Sequence, residues 1–338
     1  MGWTRTGRKS AFRYLDQRGR PIRDQSKLDR VEQLAIPPAW KDVWISPSAR
    51  AKLQATGYDK AGRKQYLYHA DYRAEQEAAK YNKLIGFAEK LPDLRATMAA
   101  HLDQDELDRE RVSAIALRLI NLGWFRVGSE RYAKESGTYG ITTLTRRHVE
   151  VRGTRIRIAF RGKHAIQVRT ELVDDELAAA LRELLGLKGG ARVFRYRSEA
   201  KLYNLTSPRL NDYVKLYLGP DNTAKDFRTW GGTLLAAVAF AERAARDGFP
   251  ETAADEKRAV AAVMRRVAVQ LGNTPAVCRA SYVSPAVVEQ YLDGRTIEDF
   301  RPRHLRVIGA RQLDLDAEEQ ALLSLLRSWR IRQARAAA

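Results

Sequence analysis

Cysteine is almost absent from this chain of 338 residues, and histidine is scarce. The one cysteine, Cys278, cannot form an internal disulfide, and the five histidines show no spacing typical of a zinc site. These absences fit a reducing compartment and predict that no metal is bound. A Walker A glycine loop is also missing, so the sequence gives no indication of a nucleotide cofactor.

Long apolar runs are missing as well. The start of the chain, Met1-Gly2-Trp3-Thr4-Arg5, has no apolar stretch of the kind that directs secretion. No run of about 18 apolar residues occurs, which is roughly the length needed to cross a bilayer. We therefore expect a cytoplasmic protein that does not interact with a membrane.

Positive charge, in contrast, is abundant. The chain has 60 lysines and arginines against 41 acidic residues, a formal net charge of +19 and a pI near 10.1. Such an excess indicates a polyanionic partner such as nucleic acid. A hydrophobic content of 44% predicts a folded globular protein, and the length suits two domains with cores of their own.

Residues 1–75 have the composition of a small β-rich domain. Phe12–Asp16, Val43–Ile45 and Gln65–His69 read as strands bounded by turn signals, and a helix is expected near residues 24–34. We predict that this region forms the amino-terminal domain.

Residues 76–338 are predicted to form a second, mostly helical domain. Glu75–Lys90 is a helical candidate that we expect to stop near Pro92, and residues 108–122 place apolar side chains on one helix face. Alternating patterns from Val149 to Val168 predict a three-stranded antiparallel sheet with Lys163 at a hairpin tip. Further helices are expected at 229–246, 255–271 and about 315–335. The predicted fold class is α+β.

One tyrosine lies in a sequence context that suggests chemistry. Tyrosine is a poor nucleophile at neutral pH because its ordinary pKa is about 10, so attack on a phosphodiester needs cationic partners. The chain supplies three cationic side chains and an amide together with this tyrosine, in the order Arg126, Lys163, Arg228, Asn273 and Tyr282. Taken singly, each has an ordinary explanation as a packing, turn or surface residue.

The order and the surrounding motifs resemble type IB DNA topoisomerases of the small, poxvirus-like kind that bacteria also have. The most specific matches are Lys225-Asp226-Phe227-Arg228-Thr229-Trp230-Gly231 and the spacing from Gly272-Asn273-Thr274-Pro275 to Arg279-Ala280-Ser281-Tyr282. Other matching stretches are Ile36-Pro37-Pro38-Ala39-Trp40, Gly62-Arg63-Lys64-Gln65-Tyr66-Leu67-Tyr68, Phe125-Arg126, Gly137-Thr138-Tyr139-Gly140 with Leu144-Thr145, and Gly162-Lys163. The matches run from about residue 12 to about residue 300.

The resemblance implies a catalytic role for each of these side chains. Tyr282 would attack the scissile phosphate and form a 3′-phosphotyrosyl bond. Arg126 and Arg228 would hold the non-bridging oxygens, where negative charge grows in the transition state. Lys163 would protonate the departing 5′-oxygen, and Lys225 would assist that proton transfer.

Asn273 departs from the family pattern, since many relatives have histidine at this position. An amide can donate a hydrogen bond to a phosphate oxygen but cannot act as an acid or a base. We interpret the substitution as evidence that this position needs only hydrogen-bond donation.

The resemblance also implies how the protein meets its substrate. A monomer would act as a C-shaped clamp on double-stranded DNA in the bacterial nucleoid, with no cofactor and no required metal. Arg63, Lys64, Tyr66 and Tyr68 would contact DNA from the amino-terminal domain. Because the two tyrosines are two residues apart on a strand, we expect them to share one face.

Two alternatives remain open from the residues alone. A site-specific tyrosine recombinase uses a related set of arginine, lysine and tyrosine, but usually has histidine three residues before its second arginine, where this chain has Lys225. A non-catalytic, basic DNA-binding protein would also account for the charge and the aromatic residues.

Overall fold

The computed structural model describes residues 2–8, 11–60, 62–199, 201–301 and 314–337, with the backbone alone for residues 73–78, 80 and 337. The chain forms two compact units, Met1–Tyr81 and Asn82–Ala338. The boundary between them lies inside a long helix.

The first unit contains a five-stranded antiparallel sheet. Its strand order is β2-β1-β3-β4-β5. The strands are β1 (Trp3–Arg8), β2 (Ala11–Leu15), β3 (Lys41–Ile45), β4 (Leu53–Tyr58) and β5 (Lys64–Tyr68), with helix α1 (Gln25–Gln33) between β2 and β3. The predicted helix and the three predicted strands are therefore confirmed, and β1 and β4 complete the sheet.

Helix α1 and the sheet enclose a small apolar core. Trp3, Val31, Val43 and Ile45 are buried together there. The side chain of Asp24 accepts a hydrogen bond from the backbone N–H of Lys27 and so caps the first turn of α1.

The second unit is mostly helical, with two small sheets. Its helices are α2 (Ala70–Leu102, which begins in the first unit), α3 (Arg109–Gly123), α4 (Glu130–Glu135), α5 (Asp175–Gly186), α6 (Ser207–Leu218), α7 (Ala224–Asp247), α8 (Ala253–Leu271), α9 (Pro275–Ser281), α10 (Pro285–Leu292) and α11 (Ala317–Ala337). Its strands are β6 (Val149–Arg152), β7 (Arg155–Arg161), β8 (Gln167–Val173), β9 (Arg195–Ser198) and β10 (Lys201–Asn204). This mixed architecture, an amino-terminal antiparallel sheet followed by a mostly helical core, agrees with the predicted class.

The prediction that the first long helix stops near Pro92 is wrong. Helix α2 continues through this proline to Leu102. A proline inside a helix costs about 3 kcal/mol. Buried apolar side chains on both sides of it, Leu84, Phe87, Leu94 and Met98, each contribute about 1.5–3 kcal/mol, so their burial outweighs the cost.

The predicted three-stranded sheet is confirmed. Strands β6, β7 and β8 are antiparallel and follow the chain order, with Ile158 paired to Val149 on one side and to Thr170 on the other. Lys163 lies in the short turn between β7 and β8. The alternation of the sequence explains the sheet, because Ile156, Ile158 and Phe160 all face the core.

Among the described residues, none of the helices is long and apolar enough to span a bilayer. The described part of the chain also brings together no group of three or more His, Cys, Asp and Glu side chains suited to a metal ion.

Candidate active site

Arg228 lies at the centre of the site, in the second turn of α7. Its side chain is only 4% exposed. One terminal nitrogen donates to the carbonyl oxygen of Trp124, and the other donates to that of Leu271 at 2.9 Å. The guanidinium thus ties the ends of α3 and α8 to α7 and has a fixed orientation.

Arg126 reaches the same place from the segment after α3. Helix α3 ends at Gly123, and the left-handed backbone of the next residue, Trp124 (φ 49°), redirects the chain. The Nη2 atom of Arg126 donates to the carbonyl oxygen of Gly272 at 3.1 Å and to the side-chain oxygen of Asn273. Burial, together with the positive charge of Arg228, lowers the pKa of Arg126 to about 10.

Asn273 follows the carboxyl end of α8. Gly272 takes the left-handed conformation (φ 58°) that ends the helix, and the backbone N–H of Asn273 then donates to the carbonyl oxygen of Ala268 at 3.0 Å. While Oδ1 accepts from Arg126, the Nδ2 atom is buried and has no hydrogen-bond partner among the described residues. This amide therefore offers a free donor inside the site.

Tyr282 directly follows α9 and is partly buried. Its backbone N–H donates to the carbonyl oxygen of Cys278 at 2.9 Å. The guanidinium carbon of Arg228 lies 5.0 Å from the centre of the Tyr282 ring, within the range of a cation–π contact. The fold thus brings four of the predicted residues together although they come from separate stretches of the chain. The four are Arg126, Arg228, Asn273 and Tyr282.

Lys163 lies on an exposed turn next to this cluster. Its side chain forms no hydrogen bond or ion pair within the described part of the chain. The two following residues, His164 (φ 61°) and Ala165 (φ 60°), both have left-handed backbone, which is strained for residues other than glycine. Ile166, which ends the turn, lies against Gly272.

A short segment links the lysine turn to Arg126. The backbone N–H of Ile141 donates to the carbonyl oxygen of Arg126 at 2.9 Å, and that of Tyr139 donates to the carbonyl oxygen of Arg161 at 2.8 Å. Gly140 sits so close to the backbone of Gly128 that a Cβ atom would come within 2.7 Å of its Cα atom. The motif that contains Tyr139 and Gly140 therefore sets the spacing between Arg126 and the turn.

Lys225 lies in the first turn of α7 and is exposed. Its side chain makes no hydrogen bond or ion pair in the residues described here. The neighbouring Asp226 closes the capping box with Thr223 and forms an ion pair with Lys83 at 2.9 Å, which fixes the start of the helix.

The chemistry of the cluster suits an oxyanion. Among the described groups, the Nε atom of Arg228 and the Nδ2 atom of Asn273 are buried donors without acceptors. Arg126 and Arg228 are both positively charged and repel each other. A bound phosphate would relieve this repulsion and accept hydrogen bonds from the free donors. The phenol of Tyr282 lies beside that position.

Comparison with known proteins identifies the family. Residues 69–300 match the model of the eukaryotic DNA topoisomerase I catalytic core, and residues 11–59 match that of the bacterial DNA topoisomerase IB N-terminal domain. DNA topoisomerase 1B of Acanthamoeba polyphaga mimivirus is 30% identical over 292 residues, which cover 85% of this chain and 86% of that protein. DNA topoisomerase 1B of vaccinia virus (strain Copenhagen) is 23% identical over 283 residues, 81% of this chain and 85% of the relative.

This chain belongs to the type IB DNA topoisomerases. The part of this type IB topoisomerase that matches the catalytic-core model includes all six candidate residues of the second unit. The four candidate DNA contacts of the first unit, Arg63, Lys64, Tyr66 and Tyr68, fall between the two matched ranges.

In the first unit of the topoisomerase, Tyr66 and Tyr68 share one face of β5 as expected. Their side chains are 49% and 43% exposed, and their rings stack with centroids 6.2 Å apart. The ammonium of Lys64 lies 5.9 Å from the Tyr66 ring centre, while Arg63 forms an ion pair with Asp59 at 2.7 Å. The tyrosines are therefore surface residues of the topoisomerase rather than part of its small core.

The sequence did not reveal the part that two residues, Trp124 and Gly231, play in building the site of the topoisomerase. The indole of Trp124 packs on Gly231, where a Cβ atom would lie 2.3 Å from the indole nitrogen. The carbonyl of Trp124 also accepts from Arg228. The pair Gly231-Gly232 was the available signal, because glycine in the middle of a buried helix usually marks a close approach.

Proposed function

We propose that this type IB topoisomerase relaxes supercoiled double-stranded DNA by cutting one strand, letting the duplex rotate and rejoining the strand. The proposal rests on family membership and on one observation above all. The ring of Tyr282 lies 5.0 Å from the fixed guanidinium of Arg228, beside buried donors that suit a phosphate.

In this mechanism the Tyr282 phenol loses its proton to water, and its oxygen attacks the phosphorus and forms a 3′-phosphotyrosyl bond as the bond to the 5′-oxygen breaks. Arg126, Arg228 and Asn273 donate to the non-bridging oxygens, where charge increases in the transition state. Lys163 gives a proton to the leaving 5′-oxygen. Lys225, three residues before Arg228 on α7, assists that transfer.

Rejoining reverses these steps. The 5′-hydroxyl attacks the phosphotyrosyl phosphorus and its proton returns to Lys163, while the Tyr282 oxygen leaves and regains its proton from water. The energy of the cut phosphodiester is kept in the covalent link, so the cycle needs no ATP. The cationic side chains supply the charge that a metal ion supplies in other phosphoryl-transfer sites, so we expect none to be required.

We further propose that residues 1–75 form a DNA-clamp domain and residues 76–338 the catalytic domain, and that a monomer closes around the duplex as a C-shaped clamp. The exposed Tyr66 and Tyr68, with Lys64 beside them and Arg63 on the adjoining turn, would face the DNA backbone. The bacterial type of the amino-terminal domain supports a role in the bacterial cytoplasm, at the nucleoid.

The family match favours relaxation over the recombinase alternative, and one assay tests both. A supercoiled plasmid without any special site is incubated with the protein in EDTA and without nucleotide. Ladder-like relaxation supports the proposal, whereas action only at paired sites supports a recombinase. A strict requirement for ATP would contradict the mechanism.

Tyr282→Phe separates catalysis from binding. We expect this variant to bind duplex DNA while relaxation and the detergent-trapped covalent adduct disappear. Tyr291→Phe is a matched control, because the Tyr291 hydroxyl is buried and has no hydrogen-bond partner among the described residues. Full relaxation by Tyr282→Phe would show that Tyr282 is not the nucleophile, whereas no adduct and no relaxation with the wild type would favour a non-catalytic DNA-binding protein.

A further inference from the structure

Helix α7 contacts the backbone of Tyr282 through two consecutive residues, Gly232 and Thr233. Thr233 is fully buried, and Gly232 belongs to the same buried stretch of the helix. Neither is among the residues that the proposed mechanism assigns to the phosphate. Both contact the backbone that carries the tyrosine.

Gly232 allows the tyrosine segment to approach α7 closely. A Cβ atom added to this glycine would lie 2.7 Å from the carbonyl oxygen of Tyr282 and 3.1 Å from its Cβ atom. It would also lie 3.0 Å from a methyl group of Leu271. Any side chain at this position would therefore push the backbone of Tyr282 away from the helix.

Thr233 fixes the same segment by hydrogen bonds. Its hydroxyl lies 3.3 Å from the carbonyl oxygen of Tyr282 and 2.8 Å from that of Thr229, and it accepts from the backbone N–H of Ser284 at 3.1 Å. The hydroxyl thus contacts the chain on both sides of Val283. These contacts hold the short connection between α9 and α10 on the surface of α7.

The same helix carries the phosphate-binding side chain. Arg228 precedes Gly232 by four residues, so both lie on one face of α7, one turn apart. Helix α7 therefore sets the distance between the guanidinium of Arg228 and the backbone of Tyr282 without relying on a flexible loop.

We propose that Gly232 and Thr233 are positioning residues, which hold Tyr282 at the depth where its phenol meets the phosphate bound by Arg228. This inference rests on the proposed strand-cleavage function. It assigns to α7 a second task, beyond supplying Arg228 and Lys225, in assembling the site.

Gly232→Ala tests the close approach. The variant must move the Tyr282 carbonyl from 2.7 Å to about 3.4 Å from the new methyl group, and misplacement of a reacting group by about 1 Å can cost about 10²-fold in rate. We expect covalent adduct formation on plasmid DNA to slow about 100-fold, while non-covalent DNA affinity in a mobility-shift assay stays within threefold of the wild type.

Gly86→Ala is the matched control for this variant. Gly86 lies inside α2, and a Cβ atom there meets nothing within 4 Å. This control should form adduct at the wild-type rate. If Gly232→Ala also forms adduct within threefold of the wild-type rate, the proposed role of Gly232 is wrong.

Thr233→Val and Thr233→Ser test the role of the hydroxyl. If Gly232→Ala does not fold, these two variants decide whether α7 positions Tyr282. Valine keeps the shape and removes the hydrogen bonds, whereas serine keeps the hydroxyl. We expect at least tenfold slower adduct formation for valine, with DNA affinity unchanged, and recovery to within threefold for serine. Equal rates for the two variants would overturn the role of Thr233.

The readouts separate this inference from the proposed function. If the wild type forms no adduct, strand cleavage itself is wrong. If the wild type forms adduct and the variants lose activity only in proportion to a lower melting temperature, strand cleavage stands. Gly232 and Thr233 then serve folding alone, and the positioning role is refuted.

Discussion

Replacing Arg228 by methionine tests the two roles that we assign to this side chain, holding the scissile phosphate and holding the fold around it. Methionine is apolar and matches the arginine side chain as far as Nε, so it fills the space of the arginine stem. It removes the charge and both hydrogen bonds, leaving the carbonyl oxygens of Trp124 and Leu271 without their donors.

The expected loss of stability follows from those two bonds. A hydrogen bond to a charged group contributes about 1.5–3 kcal/mol net. Removing a buried cation offsets part of this sum, so we expect the free energy of unfolding to fall by about 2–4 kcal/mol. In a unit of this size each kcal/mol shifts the melting temperature by about 2–4 °C, which predicts a drop of roughly 5–15 °C.

The expected loss of activity is larger and has a different cause. Losing one preorganised donor to a developing oxyanion typically costs about 10²–10³ in rate. Plasmid relaxation measured well below the melting temperature of the variant isolates this effect. Arg182→Met, an exposed position on α5, is the matched control and should change neither quantity.

Two results would refute this reasoning. Relaxation by Arg228→Met within tenfold of the wild-type rate would show that the guanidinium does not stabilise the transition state. An inactive variant with an unchanged melting temperature would show that the bonds to Trp124 and Leu271 contribute nothing to the fold.

Three further predictions follow from the site and the first unit. Lys163→Ala should slow cleavage at least tenfold, and a substrate with a 5′-thiolate leaving group, which needs no proton, should restore the rate; no restoration would argue against a general acid. Burial and a neighbouring cation lower the pKa of Arg126 to about 10, so its charge destabilises the free fold at every pH below about 10, and this penalty fades as the pH rises further. Sulfate at pH 7.5 should therefore raise the melting temperature of the wild type more than that of Arg126→Gln, and equal shifts would contradict this. Tyr66→Ala combined with Tyr68→Ala should weaken duplex binding about tenfold in a mobility-shift assay, whereas Leu216→Ala, at an apolar position that is more exposed than either tyrosine, should not.

Much of the fold could be predicted because its signals are local. Helix α8 ends where Gly272 takes a left-handed conformation, and α9 begins where Thr274 accepts from the backbone N–H of Val277 and Pro275 takes the first helical position. The alternating pattern of β7 predicts a strand with one buried face, and the turn that follows places Lys163 at its end. Each of these signals acts within a few residues, so a single sequence contains it.

The wrong prediction at Pro92 shows that local signals do not include the packing of a helix against distant parts of the chain. A proline disfavours a helix interior through its own backbone, and that local effect is visible in the sequence. The burial of Leu84, Phe87, Leu94 and Met98 on the two sides of it depends on partners elsewhere in the chain. The larger, non-local contribution decided the length of α2.

The sequence by itself determined the candidate residues, their order and the family that they indicate, because these are properties of residue type and spacing. Only the tertiary structure decided that Arg126, Arg228, Asn273 and Tyr282 meet, and that α7 sets the distance between Arg228 and Tyr282 through the bare backbone of Gly232 and the hydroxyl of Thr233. The physical reason is that these contacts join segments up to about 150 residues apart in the chain, where packing and hydrogen bonding rather than local preference fix the distances.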